Sequence, residues 1–196
     1  MARTKSFDEA QALQAAMLLF WKNGYEGASM QQLESAMGLK RTSIYNAFGN
    51  KRAVYCLSLK HYQQNILIQF QNVLDQAKTA HEAVRATLEE VIKLNFTEIY
   101  PGGCLVMLSL LEGHQHDKAT KDLLDQTLQQ LTESIAQRIK QAVKSGELDE
   151  NTQYHEIAEQ VTALISGINV MAKANYSKKV LQRLIDFSVD SLFTSA

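Results

Sequence analysis

A chain of 196 residues with 45% apolar content and a single proline is long enough for one substantial core or two small ones, and it offers few interruptions to helix. Two cysteines, Cys56 and Cys104, are too few for a disulfide framework, and the formal charge of −1 is near zero overall. The start, MARTKSFDEA, carries no hydrophobic leader and no apolar run reaches membrane-spanning length, so a cytoplasmic protein with no membrane partner is expected.

The charge is unevenly spread. The first 60 residues hold eight Lys/Arg against four Asp/Glu, whereas the remainder holds 12 against 17, so the positive balance lies at the N-terminal end. Phosphate binding would need it there.

In chain order, Ser6 and Glu9 are spaced as a capping box, and Phe7, Ala10, Leu13, Met17, Phe20 and Trp21 follow helical periodicity as far as Gly24. Arg3 and Lys5 precede this helix as a basic arm suited to a phosphate or the minor groove. Ser29 and Gln32 form a second capping box. They open a short helix with Leu33, Ala36 and Met37 as its buried side, which Gly38 ends. A further helix opens at Lys40 or Arg41, where Ile44 and Phe48 are apolar and four apart while Arg41, Thr42, Ser43, Tyr45 and Asn46 cover the outer surface. Two short helices about a glycine turn, the second polar and cationic outside, fit the helix-turn-helix whose recognition helix enters the major groove. A helical hairpin inside any all-α domain shares that spacing.

Asn50 then caps a helix running to the Asp75 region, with Lys51 beside its N-terminal N–H groups in a combination suited to a phosphate. Thr79 and Glu82 start the next helix, expected to carry Val84, Leu88, Val91, Ile92 and Phe96 as far as Tyr100. Pro101-Gly102-Gly103 breaks the chain, and Cys104 to Leu111 should form a short helix buried on most sides. Asp117 caps a long amphipathic helix that stops at Ser145-Gly146. Thr152 begins a helix to about Asn175, and Ser177 begins the last, with Val180, Leu184, Phe187, Val189 and Leu192 apolar. The count is nine helices in an all-α fold, with no internal repeat.

The stretch GYEGASMQQLESAMGLKRTSIYNAFGNKRAVY resembles the DNA-binding region of the tetracycline-repressor (TetR) family, and the likeness covers roughly residues 7 to 59. Gly24-Tyr25, Ala28-Ser29, Gly38, Ile44-Tyr45, Phe48 and Lys51 fall at the family's spacings. Lys40, where a Ser or Thr cap is frequent, and Ala47, where a larger polar residue is frequent, depart from its pattern. The resemblance implies an N-terminal three-helix domain with the helix-turn-helix, residues 1–50. Behind it would lie a larger six-helix effector-binding and dimerisation domain, residues 51–196. It implies a double-stranded DNA operator and a small-molecule effector as partners, and a homodimer paired through its last two helices.

DNA contacts are expected from Gln31, Arg41, Thr42, Ser43, Tyr45, Asn46 and Lys51. Arg suits guanine and Asn adenine, while Tyr45 and Lys51 suit phosphates. An effector would meet Tyr62, Phe96, Tyr100, Cys104, Met107, Leu108, Leu111 and His114, residues that would look the same in a solid core. Dimer contacts are expected at Leu164, Gly167, Ile168, Met171, Leu184 and Phe187, with Gly167 permitting close helix approach.

Cys104, at a helix start, allows a redox or electrophile sensor, although apolar neighbours favour a buried structural thiol. His114 and His116 are expected to be solvated turn residues, and no metal site, cofactor or catalytic constellation is read from the chain. A ligand-responsive repressor is the reading; a helical ligand-binding or catalytic protein with an incidental helix-turn-helix is its rival.

Overall fold

The computed structural model describes residues 7–194, among which all regular secondary structure is helical. Helix α1 spans Glu9–Gly27, α2 Met30–Met37, α3 Arg41–Phe48 and α4 Lys51–Tyr62. A π-helical segment, Gln63–Leu67, joins α4 to α5, Ile68–Gln76. Then come α6 Ala80–Asn95, α7 Leu105–Leu111, α8 Lys118–Lys144, α9 Tyr154–Lys173 and α10 Lys178–Thr194. Taking α4, the π segment and α5 as one rod gives the nine helices expected, among the described residues.

Asp8 caps α1, its Oδ1 accepting from the N–H groups of Ala10 (2.9 Å) and Gln11 (3.2 Å). The Ser6 cap and the basic arm of Arg3 and Lys5 lie outside the described residues. The other caps form where local chemistry put them. Ser29 and Gln32 close a reciprocal capping box, Asn50 accepts from Ala53 N–H at 3.0 Å, Thr79 from Glu82 N–H at 3.1 Å, and Asp117 from Thr120 N–H at 3.0 Å. Each satisfies a backbone donor that a helix start leaves free.

Packing makes two apolar cores. Ala16, Met17, Phe20 and Trp21 of α1 pack with Leu33, Ile44, Phe48, Tyr55 and Leu59, and this core runs past residue 50 to take in Cys104, Leu105, Val106 and Leu124. The second core joins α5, α6, α8, α9 and α10 through residues such as Leu74, Leu88, Ile139, Ile165 and Ile185.

Five local expectations are corrected. Ala36 is exposed, because Leu33 and Met37 alone fill the inner face of so short a helix. Helix α6 stops at Asn95 instead of Tyr100, and Phe96 is 45% exposed. The Asn95 side chain explains this, donating back to Val91 O (2.8 Å) and accepting from Gly103 N–H (2.6 Å), which ties the Pro101-Gly102-Gly103 turn to the helix end. Helix α7 buries Leu105, Val106 and Ser109 but leaves Leu111 72% exposed. His116 is buried, stacked on Tyr55 with ring centroids 5.3 Å apart and with Nε2 3.1 Å from Ser109 O. In α10 the buried stripe is Leu181, Ile185, Val189 and Leu192, which leaves Leu184 half-buried and turns Phe187 outward.

Candidate nucleic-acid interface and ligand cavity

The α2–turn–α3 unit is held from below by Leu33, Met37, Ile44 and Phe48, all buried. Gly38 closes α2 at φ 63°, a left-handed conformation that disfavours side chains, and nothing lies within 4 Å of where its Cβ would be. Backbone geometry, not crowding, therefore asks for glycine there. With Ile44 and Phe48 turned inward, α3 presents Arg41, Thr42, Tyr45 and Asn46 to solvent, with Ser43 half-buried between them. Gln31 is exposed at the start of α2. Ala47 is half-buried against the first core, so its methyl group is a packing element.

Lys40 supplies no side-chain cap to α3, as its chemistry implies. A residue seven positions back does so. The Glu34 carboxylate accepts from Arg41 N–H at 3.2 Å and stands 4.0 Å from the Arg41 guanidinium, combining a helix-start acceptor, a favourable dipole interaction and an ion pair. Lys51 makes one contact that the sequence did not announce. Its Nζ lies over the Tyr25 ring, 4.5 Å from the centroid, a cation–π contact that holds the amine near the foot of α3.

This head is joined to the rest of the molecule at a compact cluster. At Gly24, α1 breaks with φ 74°, and the Glu112 carboxylate occupies the space a side chain would need: a Cβ there would be 2.0 Å from its Oε1. Glu112 Oε2 accepts from Tyr25 N–H at 2.9 Å. Tyr55 Oη donates to Ser109 Oγ at 2.5 Å, and Arg52 bonds Asp117 Oδ2 at 3.1 Å. Burial pushes the Tyr55 phenol far above its usual range, so it stays a donor. Hydrogen bonds from Thr120, then the nearby Arg52 charge, hold the Asp117 carboxyl below the usual carboxylate range.

A narrow cavity of about 20 Å³, room for a single water-sized sphere, lies between the two cores. Tyr62, Cys104 and Met107, among the residues read from the sequence, line it. Trp21, Leu67, Phe70, Leu94, Asn95 and Asn169 also line it and were not anticipated; Trp21 and Asn169 come from helices remote in the chain. Tyr100 is stacked on Trp21 (centroids 5.1 Å, interplanar angle 22°), and Leu108 packs beneath Gly103. Phe96, Leu111 and His114 are exposed and take no part in the lining. Tyr62 Oη donates to Cys104 Sγ at 3.3 Å. Burial raises both groups above their usual pKa, so both remain protonated at neutral pH.

On the far side, α9 and α10 leave an apolar groove lined by Ala163, Leu164, Gly167, Leu184 and Phe187. Phe187 is 80% exposed and nothing lies within 4 Å of a Cβ placed on Gly167. Met171 is half-buried, whereas Ile168 is fully buried in the chain's own core. No helix among the described residues is long and apolar enough to cross a membrane, and no cluster of metal-ligating residues occurs among them.

Comparison with known proteins follows the same division. Residues 12–55 match the family described as bacterial regulatory proteins, tetR family, and residues 69–187 match the tetracyclin repressor-like C-terminal domain. An uncharacterized HTH-type transcriptional regulator of Bacillus subtilis, YezE, is 27% identical over 193 residues, 98% of this chain and 100% of that protein. The HTH-type transcriptional repressor ComR of Escherichia coli is 27% identical over 185 residues, 93% and 87% of the two chains. Among solved structures, the transcriptional regulator CifR, as a cysteine mutant complexed with 26-bp double-strand operator DNA, superposes with a TM-score of 0.90. It is 31% identical over 96% of this chain and 98% of its own.

Proposed function

The chain belongs to the TetR family of DNA-binding transcriptional regulators and is not an enzyme; from that premise we propose that it is a homodimeric repressor released from a near-palindromic operator by a small molecule. The observation that carries the DNA-reading half is the outer face of α3. Arg41, Thr42, Tyr45 and Asn46 point to solvent while Ile44 and Phe48 fix the helix to the core. Arg41 offers a two-donor fork and Asn46 a donor–acceptor pair to base edges, with Ser43, Thr42 and Gln31 beside them, and Tyr45 and Lys51 bind phosphates. Repression is the role named for ComR, and CifR is described on operator DNA; both support this reading.

Two copies joined through α9 and α10 would set two reading heads about one helical turn of DNA apart, ~34–36 Å. The exposed Phe187 beside the open groove over Gly167 supports that pairing. An effector in the cavity between the cores would act by binding more tightly to a conformation with the heads wrongly spaced, since only differential affinity shifts the balance. A Cys104 sensor is disfavoured by a thiol that is buried and held protonated.

The test is binding of the purified protein to DNA upstream of its own and adjacent genes, followed across salt concentration. Steep salt dependence with a defined half-site spacing is expected. Weak binding indifferent to sequence in every upstream region would overturn the operator reading.

A further inference from the structure

Tyr25 lies at the seam between the head and the rest of the chain, and it is held by both its backbone and its ring. After the break in α1 at Gly24, only Tyr25, Glu26 and Gly27 continue the helix. A turn that short has little of its own to keep it in place. Its N–H at Tyr25 is taken by Glu112 Oε2 at 2.9 Å, a charge-assisted bond from the residue that ends α7. The bond depends on the bare Gly24, since a Cβ there would meet the same carboxylate.

The Tyr25 ring is packed among aromatic neighbours, with centroids 4.9 Å from Tyr55, 5.6 Å from His116 and 6.3 Å from Phe20. Over this ring stands the Lys51 amine, 4.5 Å from the centroid. Among the described residues that amine forms no ion pair, so its charge is left for an anion from outside the chain. Lys51 opens α4, directly behind the recognition helix.

Three links therefore run from α7 to this lysine: carboxylate to backbone N–H, backbone to ring, ring to amine. Resting on the reading of Lys51 as a phosphate ligand, we propose that Glu112 is a positioning residue for DNA binding, which holds Lys51 ready for the DNA backbone through Tyr25. A lysine has a flexible four-carbon stem, and ordering it costs rotamer entropy when the phosphate arrives. An amine already seated over a fixed ring has less freedom left to lose, so the contact is stronger for the same charge. Glu112 itself touches no DNA in this scheme.

The experiment measures binding of the full-length protein to a labelled duplex of mixed sequence across salt concentration, because phosphate contacts do not depend on sequence. Glu112→Gln keeps an acceptor oxygen for Tyr25 N–H, whereas Glu112→Met has similar length and none. Both remove the same negative charge, which by itself would favour DNA, so a loss confined to Met reads the acceptor alone. Glu112→Met should weaken binding about two- to tenfold and lower the salt slope towards that of Lys51→Ala, as loss of one phosphate contact does. It should have no further effect in a chain already carrying Lys51→Ala. Glu112→Gln should bind as the native protein does.

Equal losses from Glu112→Met with and without Lys51 would mean that Glu112 supports the fold only, and would overturn the proposal; so would native affinity and slope in Glu112→Met. Should that variant lack a cooperative melt, Glu112→Asp, one methylene short of the N–H, takes its place with the same expected loss. The native protein supplies a check that needs no variant: the Lys51 ε-methylene protons should be shifted upfield by the Tyr25 ring, and an ordinary position overturns the proposal. Lys51→Ala alone separates the two readings. An unchanged slope removes Lys51 from the phosphate ligands and the positioning role with it, whereas a lowered slope beside a native-like Glu112→Met overturns the positioning role only.

Discussion

Arg41 is the side chain on which sequence preference most depends, and its surroundings define the test. Its ion pair with Glu34 at 4.0 Å is solvent-exposed, the kind of pair worth little in stability, so the guanidinium is free to exchange it for a guanine edge. Arg41→Ala should relax preference at one base pair by about 1–3 kcal/mol while leaving non-specific binding nearly intact, as measured by competition between matched and mismatched operators. Lys51→Ala should instead weaken binding to all sequences and lower the salt slope by about 1, a change read from affinity against salt. Cys104 is the second residue with a definite expectation. Because burial raises its pKa and thiolate is the nucleophile, iodoacetamide at pH 7–8 should label it only when the protein is unfolded, at the rate of global opening. Rapid labelling in the native state, followed by peptide mass spectrometry, would overturn the view that this thiol is inert.

Among the helices, the short local signals behaved as helix starts should, since a cap needs only residues two or three apart. Asp117 carries more than a cap. Its two oxygens divide between Thr120 N–H and Arg52, so the start of α8 is fastened to α4 just behind the recognition helix. Its folded pKa is depressed, so the stabilisation is present above the ordinary carboxylate pKa and is lost as pH falls through the lower folded value. Asp117→Ala should lower the urea midpoint at pH 7, and the gap from the native protein should close in strongly acid solution. The breaks between helices were less legible. Gly24 reads as a helix end, yet its role depends on Glu112, a residue 88 positions away whose carboxylate fills the glycine's empty side.

For the whole molecule, the largest unexplained apolar exposure is Phe187 on α10, beside a groove floored by Gly167. Burying one such ring is worth about 1.5–3 kcal/mol, and a two-fold interface would bury it twice. Phe187→Glu is expected to leave a folded chain that sediments as a monomer at micromolar concentration and binds operator DNA more weakly, because one head alone remains. An unchanged dimer would place the interface elsewhere.

The sequence by itself determined the helix-turn-helix, the order of nine helices and nearly every helix start, because periodicity, capping and glycine turns act over a few residues. It also identified which face of α3 is polar, since Ile44 and Phe48 could be read four apart. Only the tertiary structure decided that Glu34 caps α3 in place of Lys40, that His116 is buried against Tyr55, and that Phe96 and Leu111 face solvent. It also brought Trp21 of α1 into the wall of a cavity with Cys104 of the α6–α7 turn. These are contacts between residues far apart in the chain, and a residue's own periodicity records which side is buried but not what it is buried against.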